Sequence, residues 1–206
     1  MQSTAKNDPP EMTPASLRAR LGKRSIVLVG MPGSGKTSIG RRLAQHLGLE
    51  FIDADQEIEA AAGMSIADIF SRHGEPYFRA GEARVIARLL DKAPQVVATG
   101  GGAFVNPDTR ALVRARALSV WLKADVDLLL RRVKRKNDRP LLRVDDPEAV
   151  LRRLLSEREA SYAEADLTIT SLDVPHEAVV EALVQALKNK LAEDDTRAAA
   201  PVAARP

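Results

Sequence analysis

Lys36 and Thr37 close the octapeptide Gly30-Met31-Pro32-Gly33-Ser34-Gly35-Lys36-Thr37, which fits G-x-x-x-x-G-K-[ST]. An ammonium and a hydroxyl behind three glycines are suited to phosphate. Glycines let successive backbone N–H groups turn inward around an anion without Cβ clashes. Lysine in this position reaches β- and γ-phosphates, and the threonine hydroxyl can ligate Mg²⁺. A bare glycine turn capping a helix is the alternative. A chance match in a chain of this length has a probability of about 1% at average residue frequencies.

Five further segments could do chemistry. Asp53 and Asp55 close a short apolar run, Phe51-Ile52, and i,i+2 residues of an extended segment share a face. One carboxylate could approach Mg²⁺ while the other binds a substrate hydroxyl; alone, the pair reads equally as a turn and helix N-cap. Arg79 and Glu82 are i,i+3 neighbours, either a surface ion pair or an arginine held ready for a carboxylate. Gly100-Gly101-Gly102 follows the run Gln95–Thr99, where three glycines are costly unless backbone must approach something closely or turn tightly. Arg139, in Asp138-Arg139-Pro140, and Arg158, in Arg158-Glu159-Ala160-Ser161-Tyr162, complete the set. A loop arginine can close over ATP and neutralise a transferring phosphoryl group, or can simply be solvated. Arg158 alone reads as a surface arginine beside a part-buried tyrosine.

The pattern around these residues alternates strand and helix. Ser25–Val29 is β-branched and apolar, a buried strand, and Ile39, Leu43 and Leu47 after the glycine loop recur at helical spacing, with Gly48 as C-cap. Further strands are expected at 51–54, 95–99, 118–122 and 167–170. Helices are expected at 65–72, 76–91, after Pro107, at 125–135, 147–164 and 176–191. Five strands with helical crossovers predict an α/β fold: a five-stranded parallel sheet with helices on both faces. Ligands should then gather at the carboxyl ends of the strands. The domain is placed at 25–191, with a mobile lid at about 134–146. Residues 1–24 read as a disordered basic leader, although 16–23 could form a short helix, and 192–206 as a disordered tail.

Composition excludes several classes. There is no cysteine, hence no disulfide or thiolate chemistry. No apolar run approaches the ~18 residues of a membrane span, and no signal-peptide core opens the chain, so a cytoplasmic protein without membrane partners is expected. The net charge of +3 is concentrated in residues 1–24, and residues 25–191 carry only +1. No nucleic-acid partner is expected, because that footprint needs a basic face with aromatics on the fold itself.

Together the segments G-x-x-G-S-G-K-T, D-x-D, F-R-x-x-E, G-G-G-A, R-P-L-L and R-x-x-x-Y resemble shikimate kinase, a P-loop family of the nucleoside-monophosphate-kinase-like type. The resemblance covers about residues 25–190. It implies that Gly33, Ser34, Gly35, Lys36, Thr37 and Ser38 wrap the phosphates of ATP. Thr37 would ligate Mg²⁺, with Asp53 in the outer shell of the metal. It implies that Asp55 holds the ring hydroxyls of shikimate and serves as base at the attacked one. Arg79 and Arg158 would clamp the carboxylate, Glu82 would orient Arg79, and Gly101 would offer backbone to a ring hydroxyl. Arg139 would be the lid arginine, and Arg132 would flank the adenine. A monomer acting on a small molecule is expected. The rivals are another small-molecule kinase, such as a gluconate kinase, and a nucleotide-binding switch protein. The latter lacks its N-K-x-D motif here, because Asn189-Lys190 is followed by Leu-Ala.

Overall fold

In a computed structural model the chain is described over residues 12–92, 94–134 and 146–199. Five parallel strands form one sheet: β1 (Ser25–Val29), β2 (Glu50–Asp53), β3 (Gln95–Ala98), β4 (Ala117–Lys123) and β5 (Leu167–Thr170). Their order across the sheet is β2-β3-β1-β4-β5. The helices are α1 (Pro14–Leu21), α2 (Lys36–Leu47), α3 (Ala54–Ala62), α4 (Ile66–Leu90), α5 (Pro107–Arg116), α6 (Val126–Lys134), α7 (Pro147–Tyr162) and α8 (His176–Ala199). A 3-10 turn at Ala103–Val105 follows β3. Every connection between neighbouring strands contains helix, as parallel pairing requires.

Alternation along the strands divides the core in two. Val27, Val29, Val97 and Trp121 face one side, packed by residues of α3 to α7 such as Ile58, Phe78, Ile86, Leu129 and Leu151. Ile26, Leu28, Val96, Val120 and Leu122 face the other, covered by Leu17 and Leu21 of α1, Ile39 and Leu43 of α2, and Leu183 and Leu187 of α8. Because both faces are buried, β1 is apolar after Ser25 rather than alternating apolar and polar.

The expected strands and crossovers are present, and three expectations need correction. First, the folded chain begins before residue 25: α1 starts at Pro14 behind the Thr13 N-cap, and Leu17 and Leu21 are buried. Their i,i+4 spacing gives a helix of mean apolarity too low to stand alone, but enough to dock. Second, residues 192–199 are not tail: α8 continues to Ala199, and Asp194 meets Arg24 at 3.0 Å and Lys190 at 3.1 Å. Third, Asp55 is not on β2. The strand ends at Asp53, whose carboxylate caps α3 by accepting from the Asp55 N–H at 3.2 Å. The two helices expected between 65 and 91 form one stretch, interrupted at Gly74, where φ is 80° and ψ 174°. Among the described residues no helix is long and apolar enough to cross a membrane.

Candidate active site

β1 and β3 are adjacent strands, and each ends in glycines on the same edge of the sheet. After β1, Gly33 and Gly35 take φ of 87° and 99°, a region that only glycine occupies cheaply. Gly35 is also the N-cap of α2, so the loop leads straight into a helix N-terminus, where backbone N–H groups and the helix dipole favour an anion. The Lys36 ammonium lies over this loop, donating to the carbonyls of Gly30 at 2.8 Å and Met31 at 3.0 Å. One residue on, the Thr37 hydroxyl donates to Asp53 Oδ2 at 3.0 Å. Asp53 therefore does two jobs: one oxygen caps α3 and the other faces the threonine.

This donor set suits Mg²⁺ better than a metal caged by protein. Among the described residues there is no cluster of three or more His, Cys, Asp or Glu able to hold an ion. Mg²⁺ keeps waters and substrate phosphates as ligands and needs only one or two protein oxygens. A hydroxyl and a carboxylate 3.0 Å apart at the mouth of a phosphate cradle supply those.

After β3 the glycines make room for side chains. A Cβ at Gly100 would sit 2.8 Å from Asp55 Oδ1 and 2.9 Å from Glu82 Oε1. One at Gly101 would sit 3.0 Å from Pro32 Cδ in the phosphate loop and 3.3 Å from Arg158 Nη1. One at Gly102 would fall within 2.6 Å of the Arg79 guanidinium carbon. So two carboxylates and two guanidinium groups converge on three residues of bare backbone, beside the phosphate loop. The tight-turn explanation of the triglycine is incomplete, since none of the three has a positive φ.

The electrostatics are unequal. Arg79 donates to Glu82 Oε2 at 2.7 Å and to Glu75 Oε1 at 3.0 Å. Burial works against the Arg79 charge, but the two glutamates outweigh it and hold its pKa above the usual arginine value. Glu82 is only 2% exposed, and burial pushes its carboxyl above the usual carboxylate value despite Arg79; Asp55 pushes the same way. Among the described residues its Oε1 has no hydrogen-bond partner. The site thus carries an arginine secured by acids and an acid that is costly to bury.

The family model for shikimate kinase matches residues 32–188. The shikimate kinase of Bradyrhizobium diazoefficiens is 60% identical over 177 residues, covering 86% of each chain. The chain belongs to the shikimate kinase family. The shikimate kinase of Rhodopseudomonas palustris is 56% identical over 177 residues, 86% of this chain and 87% of its own. A solved shikimate kinase from Acinetobacter baumannii in complex with shikimate superposes with a TM-score of 0.79 at 38% identity, covering 84% of this chain and 97% of that one.

Of the residues singled out from the sequence, Lys36, Thr37 and Asp53 come together at the shikimate kinase phosphate loop, and Asp55, Arg79, Glu82, Gly101 and Arg158 at the triglycine. Arg132 instead reaches the outside of the loop, donating to Ser171 Oγ at 2.8 Å and the Leu172 carbonyl at 2.8 Å, and lying 3.5 Å from the Ser34 carbonyl. Burial lowers its pKa. Arg139 lies outside the described residues. One neighbour, Ser171, had no motif to announce it, and Tyr162 entered only as the last residue of R-x-x-x-Y. Ser171 donates to the Ser34 carbonyl at 3.0 Å and so braces the phosphate loop from the end of β5. Tyr162, expected to be part-buried, is fully buried, and its hydroxyl bonds the Gly101 carbonyl.

Proposed function

We infer that the chain transfers the γ-phosphoryl of ATP to the 3-hydroxyl of shikimate, giving shikimate 3-phosphate and ADP, a step of chorismate and aromatic amino acid biosynthesis. The observation that carries this is the convergence of Arg79, Arg158, Asp55 and Glu82 on Gly100–Gly102 beside the phosphate loop. A small ring acid with several hydroxyls needs such a set: guanidinium forks for its carboxylate, and carboxylate and backbone for its hydroxyls.

The roles follow from position. Gly33 to Ser38 wrap the phosphates, and Lys36 leaves its carbonyl partners to follow the charge on the β- and γ-oxygens. Arg79, stiffened by Glu75 and Glu82, and Arg158 hold the carboxylate, which presents the 3-hydroxyl to the phosphate loop. Asp55 accepts the hydroxyl proton as the new O–P bond forms and the bond to the leaving β-phosphate oxygen breaks. Thr37 and Asp53 would hold Mg²⁺, which when bound neutralises charge on the phosphate oxygens. Arg139 is assigned to the lid, closing over the transferring group, and Arg132 to the adenine side. The transition state is loose, so positioning and charge neutralisation supply most of the acceleration. The protein is placed in the cytoplasm and acts as a monomer.

The test is ADP release by the purified protein with Mg²⁺ and ATP against shikimate, gluconate and nucleoside monophosphates. Turnover with shikimate alone is expected. Turnover with gluconate or a nucleotide and none with shikimate overturns the assignment.

A further inference from the structure

Tyr162 lies four residues beyond Arg158, about one helical turn along α7, so both side chains leave the same face of the helix. Its ring packs against Trp121, with centroids 5.9 Å apart and a tilt of 33°. A phenolic hydroxyl has one proton to donate and can accept in return. Here the proton goes to the Gly101 carbonyl. The Arg158 guanidinium, which can only donate, comes to the same residue: its Nη1 lies 3.3 Å from the place a Cβ of Gly101 would take. Met31 Sδ, 4.0 Å from the hydroxyl, is a soft contact with the phosphate loop.

The hydroxyl thus holds the residue against which the guanidinium lies. A glycine peptide has little intrinsic preference for one orientation, and its plane is fixed once its carbonyl is held. In a trans peptide, anchoring the Gly101 carbonyl sets the Gly102 N–H on the opposite side. An arginine loses much rotamer freedom when ordered, unless neighbours order it beforehand. We propose that Tyr162 is a positioning residue for the acceptor. Its hydroxyl holds the Gly101 carbonyl, and Arg158 from the same face of α7 lies against Gly101, so that the carboxylate grip and the triglycine backbone are set together. The proposal rests on the shikimate reading above. A tyrosine that merely filled the core would support both substrate sites alike, since α7 packs under both the triglycine turn and Met31.

Tyr162→Phe keeps the ring against Trp121 and removes only the hydroxyl. Calorimetric titration of shikimate without nucleotide should show affinity weakened about tenfold, with KM for ATP unchanged within about twofold. In an Arg158→Ala background the same change should cost less than about twofold more, because the guanidinium that Gly101 seats is already gone. Equal weakening of both substrates, a full additional loss in the Arg158→Ala background, or a variant that does not fold makes the hydroxyl a general structural support and overturns the proposal. A second measurement leaves the Tyr162 hydroxyl in place. The chain has two tyrosines, Tyr77 and Tyr162, so biosynthetic 3-fluorotyrosine gives two ¹⁹F signals, assigned with Tyr77→Phe. The Tyr162 signal should move when shikimate binds; a signal that stays still while shikimate binds also overturns it. If the wild type binds no shikimate at all, the acceptor assignment falls first and this proposal with it.

Discussion

Gly102 has a φ of −96°, open to any residue, so what forbids a side chain there is the Arg79 guanidinium. Gly102→Ala should therefore fold normally and weaken shikimate binding at least tenfold, with ATP affinity unchanged; two titrations decide it. Unimpaired shikimate binding would mean that Arg79 can step aside without loss. Removing either arginine takes one partner from a desolvated charge pair, which typically costs ~2–5 kcal/mol. Arg79→Ala and Arg158→Ala should each lower kcat/KM by roughly 30-fold or more, mainly through KM, and their effects should not add. A reduced, uncharged analogue should be a poor substrate for the wild type and hurt the double variant little further. Glu82 gives a pH-dependent case. Its carboxyl is raised in the folded state, so the folded chain binds the extra proton more readily than the unfolded one. The burial cost is then present at neutral and higher pH, and is relieved as pH falls through the raised value. Glu82→Gln should melt at or above the wild type at pH 8, and the difference should shrink as pH falls into the carboxylate range. A variant that melts well below the wild type at pH 8 would show that the ion pair with Arg79 outweighs the burial cost. Residue types and spacing singled out Lys36 and Asp53 because phosphate chemistry restricts the choice, whereas Arg158 alone read as a surface arginine and drew its role from the family resemblance. The motif R-x-x-x-Y contained Tyr162 but not its partner, and nothing pointed to Ser171: both depend on which backbone carbonyl a remote segment brings to them.

At the scale of elements, the strands were legible because a parallel sheet covered on both sides demands apolar β-branched runs, and the chain has few others. The ends were not. The composition around α1 is basic and polar, and only Leu17 and Leu21 betray a docked face; the last turns of α8 read as an alanine-rich tail until its partners across the fold are known. Local composition loses to tertiary contact in both places. Leu17→Ala and Leu21→Ala should each lower stability by about 2–5 kcal/mol, as for buried leucines elsewhere. Neither should change KM for either substrate, since α1 packs on α2 and α8 across the sheet from the triglycine. Denaturant unfolding and steady-state kinetics check the two halves of that statement. The ion pairs of Arg20 with Asp195 and Arg24 with Asp194 are partly exposed and should contribute little by comparison.

At the scale of the molecule, the strand order puts β1 in the centre, with β2 and β3 on one side and β4 and β5 on the other. The side chains assigned to the acceptor come almost entirely from one contiguous stretch, β2 through the triglycine, whereas Arg132, Ser171 and Leu172 lie across the phosphate loop. Recombination between related kinases could exploit that boundary. Residues 50–106 form a cassette whose exchange would swap the acceptor and leave the nucleotide machinery in place. One thing defeats a clean exchange: α7 is encoded 41 to 56 residues downstream of the cassette, yet it returns Arg158 and Tyr162 to the heart of it. A chimera carrying 50–106 from a relative with a different acceptor should keep ATP binding but bind its new acceptor weakly. Moving the last two turns of α7 with the cassette should restore that binding. The acceptor preference of this fold is therefore inherited as two separated pieces of sequence, and a change in one without the other yields a nucleotide-binding protein with nothing to phosphorylate.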